Sequence, residues 1–251
     1  MSLFVRRGPR ISLTRAGGAL YAHAMPLVEG IDRLPDAFAK RHHGVADVAL
    51  TVGAGQTSAS YLLPRYVERF RLRWPGVRIE IRTGSGEQRL AWLRGYELDL
   101  VVGAMDVAPG DLEFHPMLAS EFVLITASDH ALAGRASVGI EEAAAYPLVG
   151  HGAARYVGQV VEIMLRHHGV APEVVVEVDG WGDITNCVAA GVGVAVVPEL
   201  CLTEHDGLWR IPFADVLRPR RYGAITRRDG MLGLNARRFL ETMAGPAPGA
   251  P

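Results

Sequence analysis

The segment from residue 48 to residue 81 constrains the fold of this chain more than any other, because a strand pattern, a helix pattern and a second strand pattern follow one another in it. An apolar run of strand length covers residues 49–54. Apolar residues recur about every four positions from 62 to 70, the spacing of one helix face, and they alternate with charged residues from 77 to 82. We therefore predict a β-α-β unit whose strands are parallel and joined by a right-handed crossover.

A short polar loop, Gly55 to Ser60, lies between the first strand and the helix. Helix N-termini in such units meet at the carboxyl edge of the sheet, where free backbone N–H groups and the helix dipole attract anions. Thr57, Ser58 and Ser60 would present hydroxyl groups there, and we predict that they bind a small anionic ligand. Thr57 or Ser58 would also be a good N-cap in a protein that binds nothing at this edge, so the residues alone leave both interpretations open.

The charge of the chain is unevenly distributed. Of its 251 residues, 49% are hydrophobic, which is enough for two compact lobes with sizeable cores. Residues 1–44 hold seven Lys or Arg and three Asp or Glu, whereas the remainder holds nineteen and twenty-four. The basic front favours a segment near nucleic acid, although an ordinary solvated surface would carry a similar excess.

The sequence lacks the motifs that indicate catalysis or metal binding. Cys187 and Cys201 belong to no Cys-x-x-Cys or Cys/His ligand spacing, and the paired histidines are expected on the surface near helix ends. No nucleophile elbow, zinc-protease motif or phosphate loop is present, and the G-x-G pieces lack the third glycine of a dinucleotide fingerprint. We therefore expect no enzymatic activity, no cofactor and no metal.

With no signal-peptide pattern and no run of membrane-spanning length, we expect a reduced, cytoplasmic protein that does not enter a membrane.

The front of the chain predicts a small basic hairpin followed by a long helix. Two short strands flank a Gly8-Pro9 turn, and Thr14 is a natural N-cap for a helix from about residue 15 to 40. Pro26 and Pro35 each remove one backbone hydrogen bond, so we do not expect that helix to be straight. Further on, helices are predicted at residues 88–95, 155–168, 181–190 and 234–243, with short strands between them.

These segments resemble those of LysR-type transcriptional regulators. The first is similar to the end of that family's winged helix-turn-helix, LFVRRGPRISLTRAGGAL. In the family, a basic wing leads there through Leu-Thr-x-x-Gly into a linker helix. Four further segments of this chain resemble the family's effector-binding domain: TVGAGQTSASYLLPRYVERFRLRWPGVRIEIRTG, RGYELDLVVG, DGWGDITNCVAAGVGVAVVPE and LNARRFLETM. The match runs in order through nearly the whole chain.

The resemblance implies an α/β fold with two Rossmann-like lobes of the periplasmic-binding-protein type II plan, preceded by a wing hairpin and a linker helix. Residues 1–44 would be the remnant wing and linker, and the helices that precede the wing, including the recognition helix, would lie outside this sequence. Residues 45–251 would form the effector-binding domain, with lobe I at about 46–120 and 225–245 and lobe II at about 121–224.

A regulator of this kind couples a small-molecule effector, bound between its lobes, to transcription. The resemblance implies DNA contacts by the wing residues Arg6, Arg7 and Arg10, but without the recognition helix we expect weak, salt-sensitive binding to any duplex. It also implies a homodimer or homotetramer whose effector domains pair through the flanks of helices 61–73 and 183–190.

The residues predicted to contact the ligand share a place at the end of a strand or the start of a helix. They are Thr57, Ser58, Ser60, Thr83, Gly84, Ser85, Gly103 and Ala104 in the first lobe and His151 and Trp181 in the second. His151, with Arg155 nearby, would supply positive charge, although an exposed loop histidine explains it equally well. Trp181 would wall the ligand cleft, and Asp183 would cap a helix that starts at Ile184.

Two other classes of protein share this plan. A solute-binding protein of a transporter is the main alternative, and the basic wing-like front with no signal peptide argues against it. An enzyme that uses the same cleft is the third interpretation, which fold alone does not exclude and which the lack of a nucleophile-base pattern disfavours.

Overall fold

The computed structural model describes residues 2–7, 10–42, 49–151, 169–170, 172–203, 207–213, 218–228 and 230–245, and of residues 6, 7, 10, 29, 32–42 and 151 it describes the main chain alone. The chain divides into two compact units. The first unit consists of Met1–Gly103, Val107–His115 and Ala224–Pro251, and the second of Ala104–Asp106 and Pro116–Gly223.

The described residues form short strands and helices that alternate along most of the chain. In chain order these are β1 (Phe4–Arg7), β2 (Arg10–Leu13), α1 (Arg15–His42), β3 (Leu50–Ala54), a π-helical turn (Ser58–Leu62), α2 (Leu63–Arg73), β4 (Ile79–Thr83), α3 (Gly86–Arg94), β5 (Leu100–Ala104), β6 (Leu112–Ser120), β7 (Phe122–Ala127), α4 (Ile140–Ala143), β8 (Leu148–His151), β9 (Val174–Val178), α5 (Trp181–Ala189), β10 (Ala195–Pro198), a 3₁₀ turn (Glu199–Cys201), β11 (Leu208–Pro212), β12 (Arg220–Arg227) and α6 (Leu234–Ala244).

The hairpin and the long helix predicted at the front are both present. Strands β1 and β2 pair antiparallel, and the turn between them lies outside the described residues. The Thr14 hydroxyl accepts a hydrogen bond from the Gly17 N–H at 3.0 Å, as expected of an N-cap of α1. Helix α1 is continuous over 28 residues and includes both prolines. Each proline deletes one hydrogen bond, and the remaining bonds of so long a helix maintain it.

A five-stranded sheet with the strand order β4-β3-β5-β12-β6 organises the first unit, and β6 and β12 continue into the residues of the second. Strand β3 is parallel to both β4 and β5, which confirms the predicted β-α-β unit. Strand β4 is an edge strand, and Ile81 on it is 40% exposed. The alternation of apolar and charged residues therefore marks an edge strand here, with neither face fully buried.

Helices α2 and α6 pack against each other through aromatic rings. Phe70 lies edge-on to Phe239 with ring centroids 5.3 Å apart, and tilted against Trp74 at 4.8 Å. The guanidinium groups of Arg73 and Arg238 lie 4.9 and 5.4 Å from the centroid of the Trp74 ring. Phe70 and Phe239 are fully buried, so the helix face predicted from the spacing of residues 62–70 is the face that packs in the core.

The second unit contains two small sheets. Strands β10 and β11 both pair antiparallel with β7, and β8 pairs parallel with β9. Its core brings together apolar side chains from these strands, from α4 and from the adjoining loops: Phe122, Leu124, Leu132, Val138, Ile140, Ala143, Leu148, Val194, Val196, Ile211 and Phe213. The helix predicted at residues 155–168 lies outside the described residues.

Among the described helices, none combines the length and the apolar composition that a bilayer crossing requires.

Candidate functional site

The carboxyl ends of three neighbouring parallel strands lie side by side at one edge of the first unit's sheet. In the ladder register, Ala54 of β3 pairs with Thr83 of β4 and with Val102 of β5. The loops that follow these three strands therefore begin at neighbouring positions on the same edge of the sheet. The ligand residues predicted for this unit all belong to these strand ends and loops: Thr57, Ser58, Ser60, Thr83, Gly84, Ser85 and Gly103.

Thr57 stands at the start of the π-helical turn that leads into α2. The Leu63 N–H reaches back to the Ser58 carbonyl, and Pro64, the next residue, has no N–H to donate. In the part of the chain that the structure describes, the Thr57 side chain makes no capping hydrogen bond to this turn. Helix capping therefore does not account for Thr57.

The two serines of this loop have different surroundings. Ser58 is buried, with 2% of its surface exposed. Ser60 is exposed, and its hydroxyl accepts a hydrogen bond from the Gln56 side-chain amide at 3.3 Å. Of the hydroxyl residues predicted in this loop, Thr57 and Ser60 are thus the accessible ones.

Reciprocal capping holds the loop after β4. The Ser85 hydroxyl accepts from the Gln88 N–H at 3.2 Å, and the Gln88 side-chain oxygen accepts from the Ser85 N–H at 3.0 Å. Helix α3 therefore begins at Gly86, and the predicted start at Gln88 is wrong because Ser85 and Gln88 form a capping box that starts the helix two residues earlier. Gly84 lies against Trp92, whose ring atoms would be 2.8 and 2.9 Å from a Cβ at position 84.

Arg89 is a residue of this edge that sequence reasoning did not select. It lies in the first turn of α3, and its Nε donates a hydrogen bond to the Ser85 carbonyl at 3.2 Å. Its guanidinium lies 3.4 Å from the place where Gly55 would carry a Cβ, and its Nη1 is 3.0 Å from the same place on Gly103. The Ser85 and Gln88 capping pattern is the sequence feature that predicts this position. It starts α3 at Gly86, so Arg89, one residue after Gln88, lies on the helical turn nearest the strand ends.

The pairing that brings Gly55 and Gly103 together is fixed by a polar clamp between β3 and the loop before β5. The Asp99 carboxylate accepts hydrogen bonds from the Thr51 N–H at 2.8 Å and from the Thr51 hydroxyl at 2.9 Å. The Asp99 N–H donates to the Thr51 carbonyl at 2.9 Å. These contacts hold the two strands in one register, so both glycines remain neighbours of the same guanidinium.

The second unit holds the other predicted ligand residues. Ala104 ends β5 and is the first residue of this unit. His151 ends strand β8, and its side chain and Arg155 lie outside what the structure describes. Trp181 is the first residue of α5 and is buried, with 9% of its surface exposed.

The prediction that Asp183 caps a helix is wrong. Helix α5 begins at Trp181 with Gly180 as the N-cap, so Asp183 lies within its first turn, where a carboxylate interacts favourably with the helix dipole. The Asp183 Oδ2 would be 2.6 Å from a Cβ at position 180, so an alanine there would require this carboxylate to move. Val188, on the same helix, is fully buried and belongs to the core of its unit.

Two titratable groups elsewhere have shifted pKa values with clear causes. The Asp111 carboxylate accepts hydrogen bonds from Arg94 at 2.6 and 3.0 Å, and this guanidinium lowers the pKa of Asp111. Burial raises the pKa of the Cys201 thiol to about 12. Among the described residues, no group of three or more His, Cys, Asp or Glu side chains is placed to hold a metal ion.

The α/β units that follow the hairpin and α1 define the effector-binding part of a LysR-type regulator. A family model described as the LysR substrate binding domain matches residues 44–245. The chain therefore belongs to the LysR substrate binding domain family. The Bacillus subtilis (strain 168) protein YusT, named as an uncharacterized HTH-type transcriptional regulator, is 24% identical over 245 residues, which are 96% of this chain and 80% of that protein.

Solved structures show the same fold. The effector binding domain of QuiR in complex with shikimate matches with a TM-score of 0.65 and 15% identity, over 79% of this chain and 96% of that one. The regulatory domain of CcmR from Synechocystis PCC6803, in complex with 2-PG, matches with a TM-score of 0.68 and 21% identity, over 78% of this chain and 95% of that one. The two-lobed periplasmic-binding-protein type II fold implied by the sequence is thus confirmed.

Proposed function

We propose that this chain binds a small anionic metabolite at the carboxyl edge of its first sheet and couples that binding to the control of transcription. The observation that carries the proposal is the convergence of β3, β4 and β5, which places Thr57, the start of α3 and the Arg89 guanidinium at one edge. Hydroxyl groups, helix N-termini and a cation are groups that recognise anions. Shikimate, the ligand in the QuiR structure, is itself a carboxylate, which agrees with this choice of ligand class.

Coupling to transcription requires contact with DNA, and the wing supplies the basic charge for it. Arg6, Arg7 and Arg10 lie on the two strands of the hairpin, in β1 and β2. We propose that they contact the phosphate backbone, which adds affinity without reading sequence. Phosphate contacts of this kind by themselves give weak, salt-sensitive binding to any duplex.

The long helix α1 supports assembly into a dimer. Leu20, Leu27 and Ile31 are spaced by seven and four residues, so they lie on one face, and they are 51%, 69% and 63% exposed. A stripe of exposed Leu and Ile at this spacing is typical of a helix that pairs with a second helix. We propose a homodimer, or a homotetramer built from such dimers, located in the cytoplasm and without catalytic activity.

The transporter alternative explains less of the chain. A solute-binding protein has no use for a basic hairpin capped onto a long helix with an exposed apolar stripe, and YusT is named as a transcriptional regulator. An anion site by itself fits both classes, so the front of the chain is what favours the regulator.

A ligand screen with a matched pair of variants tests the binding proposal. Small carboxylates, phosphates and sulfur oxyanions, shikimate among them, are added to the parent protein and to Thr57→Val while the melting temperature is followed. A ligand at about a hundredfold excess over its Kd should stabilise the parent by about 2.7 kcal/mol, which corresponds to a rise of several degrees. Thr57→Val should lose most of that rise.

Thr242→Val is the control, because the Thr242 hydroxyl donates to the Arg238 carbonyl on α6 and lies outside the proposed site. It should melt at a slightly lower temperature and respond to the ligand as the parent does. If no anion raises the melting temperature of the parent, the proposed function is wrong. If Thr57→Val responds fully, Thr57 does not belong to the site.

A further inference from the structure

One flank of helix α2 carries a row of arginines. Arg65, Arg69 and Arg73 follow one another at intervals of four residues, so they lie on the same side of the helix, with neighbours about 6 Å apart along its axis. Helix α6 packs beside α2 and adds Arg238 at one end of the row, because Arg73 and Arg238 both lie against the Trp74 ring. We call these four arginines the arginine row.

The segments that form this surface are strongly basic in a chain that is not. Residues 63–80 and 234–245 hold seven arginines and three glutamates, an excess of four positive charges, although the formal net charge of the whole chain is −1. All other residues together therefore carry a net charge of −5. Like charges four residues apart destabilise a helix, so the row lowers the stability of the free protein. Positive charge concentrated in this way favours a polyanionic partner.

Trp74 fixes two guanidinium groups of the row without neutralising them. The guanidiniums of Arg73 and Arg238 lie 4.9 and 5.4 Å from the centroid of its ring, and an aromatic ring carries no net charge. Arg238 also donates a hydrogen bond to the side-chain oxygen of Asn235 at 3.4 Å, which is a neutral acceptor. In the part of the chain that the structure describes, neither arginine is ion-paired with a carboxylate. Both positive charges are therefore held in place and remain available to a partner.

The same arrangement recurs at the other end of the row. The Arg65 guanidinium lies 5.1 Å from the centroid of the Tyr66 ring. Its Nε and Nη2 atoms are buried, and among the described residues neither has a hydrogen-bond partner. Donors without an acceptor are unfavourable, so an oxyanion brought by a partner would satisfy hydrogen-bonding capacity that folding leaves unused.

We infer that the arginine row is a second surface for duplex DNA, which contacts the phosphate backbone separately from the wing. The row extends about 12 Å from Arg65 to Arg73, and each strand of a duplex presents one phosphate about every 3.4 Å along the helix axis. Phosphates also offer the paired oxygen atoms that guanidinium groups bind. The regular spacing of charge in both partners favours a duplex over an acidic protein surface. The inference goes beyond the proposed function, in which the wing alone contacts DNA.

Fluorescence anisotropy of a labelled duplex of arbitrary sequence, titrated with the full chain over a series of salt concentrations, tests this surface. Arg73→Gln combined with Arg238→Gln removes the two guanidiniums at Trp74. Arg135→Gln combined with Arg218→Gln is the control, because it removes the same charge from the second unit. Circular dichroism checks that both double variants are folded.

Each lost phosphate contact should lower the slope of log Kd against log salt concentration by about 0.9, so Arg73→Gln with Arg238→Gln should lower it by about 1.8 and weaken binding at low salt roughly tenfold. The control should bind as the parent does. Arg65→Gln, at the far end of the row, is an independent variant that should lower the slope by about 0.9. Unchanged slopes in both the double variant and Arg65→Gln would overturn the inference, as would a parent that binds no duplex at low salt.

Two other occupants of this surface give different results. If polyglutamate displaces the parent from the duplex as effectively as unlabelled duplex does, the row recognises acidic proteins and its assignment to DNA is wrong. Sedimentation velocity should give the same dimer fraction for the parent and for Arg73→Gln with Arg238→Gln. A lower dimer fraction in this double variant would assign the surface to a second copy of the chain and overturn the inference.

The inference and the proposed function fail in different ways. A wing variant with Arg6, Arg7 and Arg10 all changed to Gln leaves the arginine row intact. If this variant binds the duplex as the parent does while Arg73→Gln with Arg238→Gln does not, the proposed wing contact is wrong and the inference stands. If the wing variant loses all duplex binding and the row variant loses none, the wing contact stands and the inference is wrong.

Discussion

Arg227 is a charged residue that folding buries, with 9% of its surface exposed. Its Nη1 donates hydrogen bonds to the carbonyls of Leu93 at 2.6 Å and Leu98 at 3.0 Å, and its guanidinium lies 4.1 Å from the centroid of the Tyr96 ring. Tyr96 has a φ of 58°, a backbone conformation that is uncommon outside glycine. Arg227 thus satisfies carbonyls at the end of α3 and holds the loop that leads into β5.

We expect Arg227→Met to lower the free energy of unfolding by about 3 kcal/mol, because buried carbonyls would lose a charged donor. Urea denaturation followed by circular dichroism measures this change. Arg228→Met is the control: Arg228 is exposed and donates to the Leu112 carbonyl at 3.2 Å, so its loss should cost less than about 1 kcal/mol. Equal losses in the two variants would contradict the role given to Arg227.

Cys201 is a buried thiol whose pKa is raised to about 12 by desolvation. At pH 8 about one molecule in ten thousand carries the thiolate, so we expect Cys201 to resist iodoacetamide in the folded protein and to react once the chain is unfolded. Mass spectrometry of the alkylated protein, with and without denaturant, distinguishes the two states. Rapid alkylation of Cys201 in the folded protein would show that the thiol is more accessible than its burial indicates.

The same shift predicts a dependence of stability on pH. Because the folded state binds the thiol proton more tightly than the unfolded state, the contribution is complete below about pH 9 and is lost as the pH rises toward 12. Cys201→Ala should therefore show a smaller alkaline loss of stability than the parent.

At the scale of elements, the junction between the wing and α1 explains the Leu-Thr-x-x-Gly pattern. The Thr14 hydroxyl caps the helix, and the Thr14 N–H donates to the Leu3 carbonyl at 3.0 Å. A Cβ at Gly17 would lie 2.0 Å from that carbonyl oxygen and 3.2 Å from the Leu13 side chain. The pattern therefore encodes one capping hydroxyl and one close approach of two backbones.

Adjacent glycines make this junction testable. We expect Gly17→Ala to displace the hairpin from α1, and hydrogen exchange at the Thr14 amide should then become faster. Gly18→Ala should instead stabilise the helix by about 0.5–1 kcal/mol, because a Cβ there meets no described atom within 4 Å and alanine favours helix. Unchanged exchange in Gly17→Ala would mean that the close approach does not hold the hairpin.

At the scale of the whole molecule, the exposed stripe on α1 predicts self-association. We expect Leu27→Glu combined with Ile31→Glu to raise the dimer Kd at least about tenfold, because charges would replace apolar side chains in the interface. Sedimentation velocity over a range of concentrations measures the dimer fraction. Ala22→Glu is the control, since Ala22 is exposed on the opposite face of α1. Dimers that persist unchanged in the double variant would exclude the stripe as the interface.

The flank of α5 is a weaker target for such an experiment. Val188, which lies in the pairing segment 183–190 implied by the resemblance, is fully buried in its own unit, so a charge there would unfold the protein before it tested any interface. On α2, Leu72 is 80% exposed and would report on pairing instead.

The sequence by itself determined the β-α-β unit, the wing hairpin and the family. These depend on patterns over a few neighbouring residues: apolar periodicity, a capping Thr14, and the spacing of glycine and proline. The main misses among the elements were also local in origin. The Ser85 and Gln88 capping box starts α3 two residues before the predicted position, and α5 begins at Trp181, before the Asp183 that its sequence suggests as a cap.

Tertiary structure alone decided where Arg89 lies. Gly55 and Gly103 are far apart in the chain, and they become neighbours because β3 and β5 pair in parallel with one register, held by Thr51 and Asp99. That register is a long-range property that no local pattern reports. Burial is decided in the same way: Ser58 and Ser60 are two positions apart in the same polar loop, yet the fold buries the first and exposes the second.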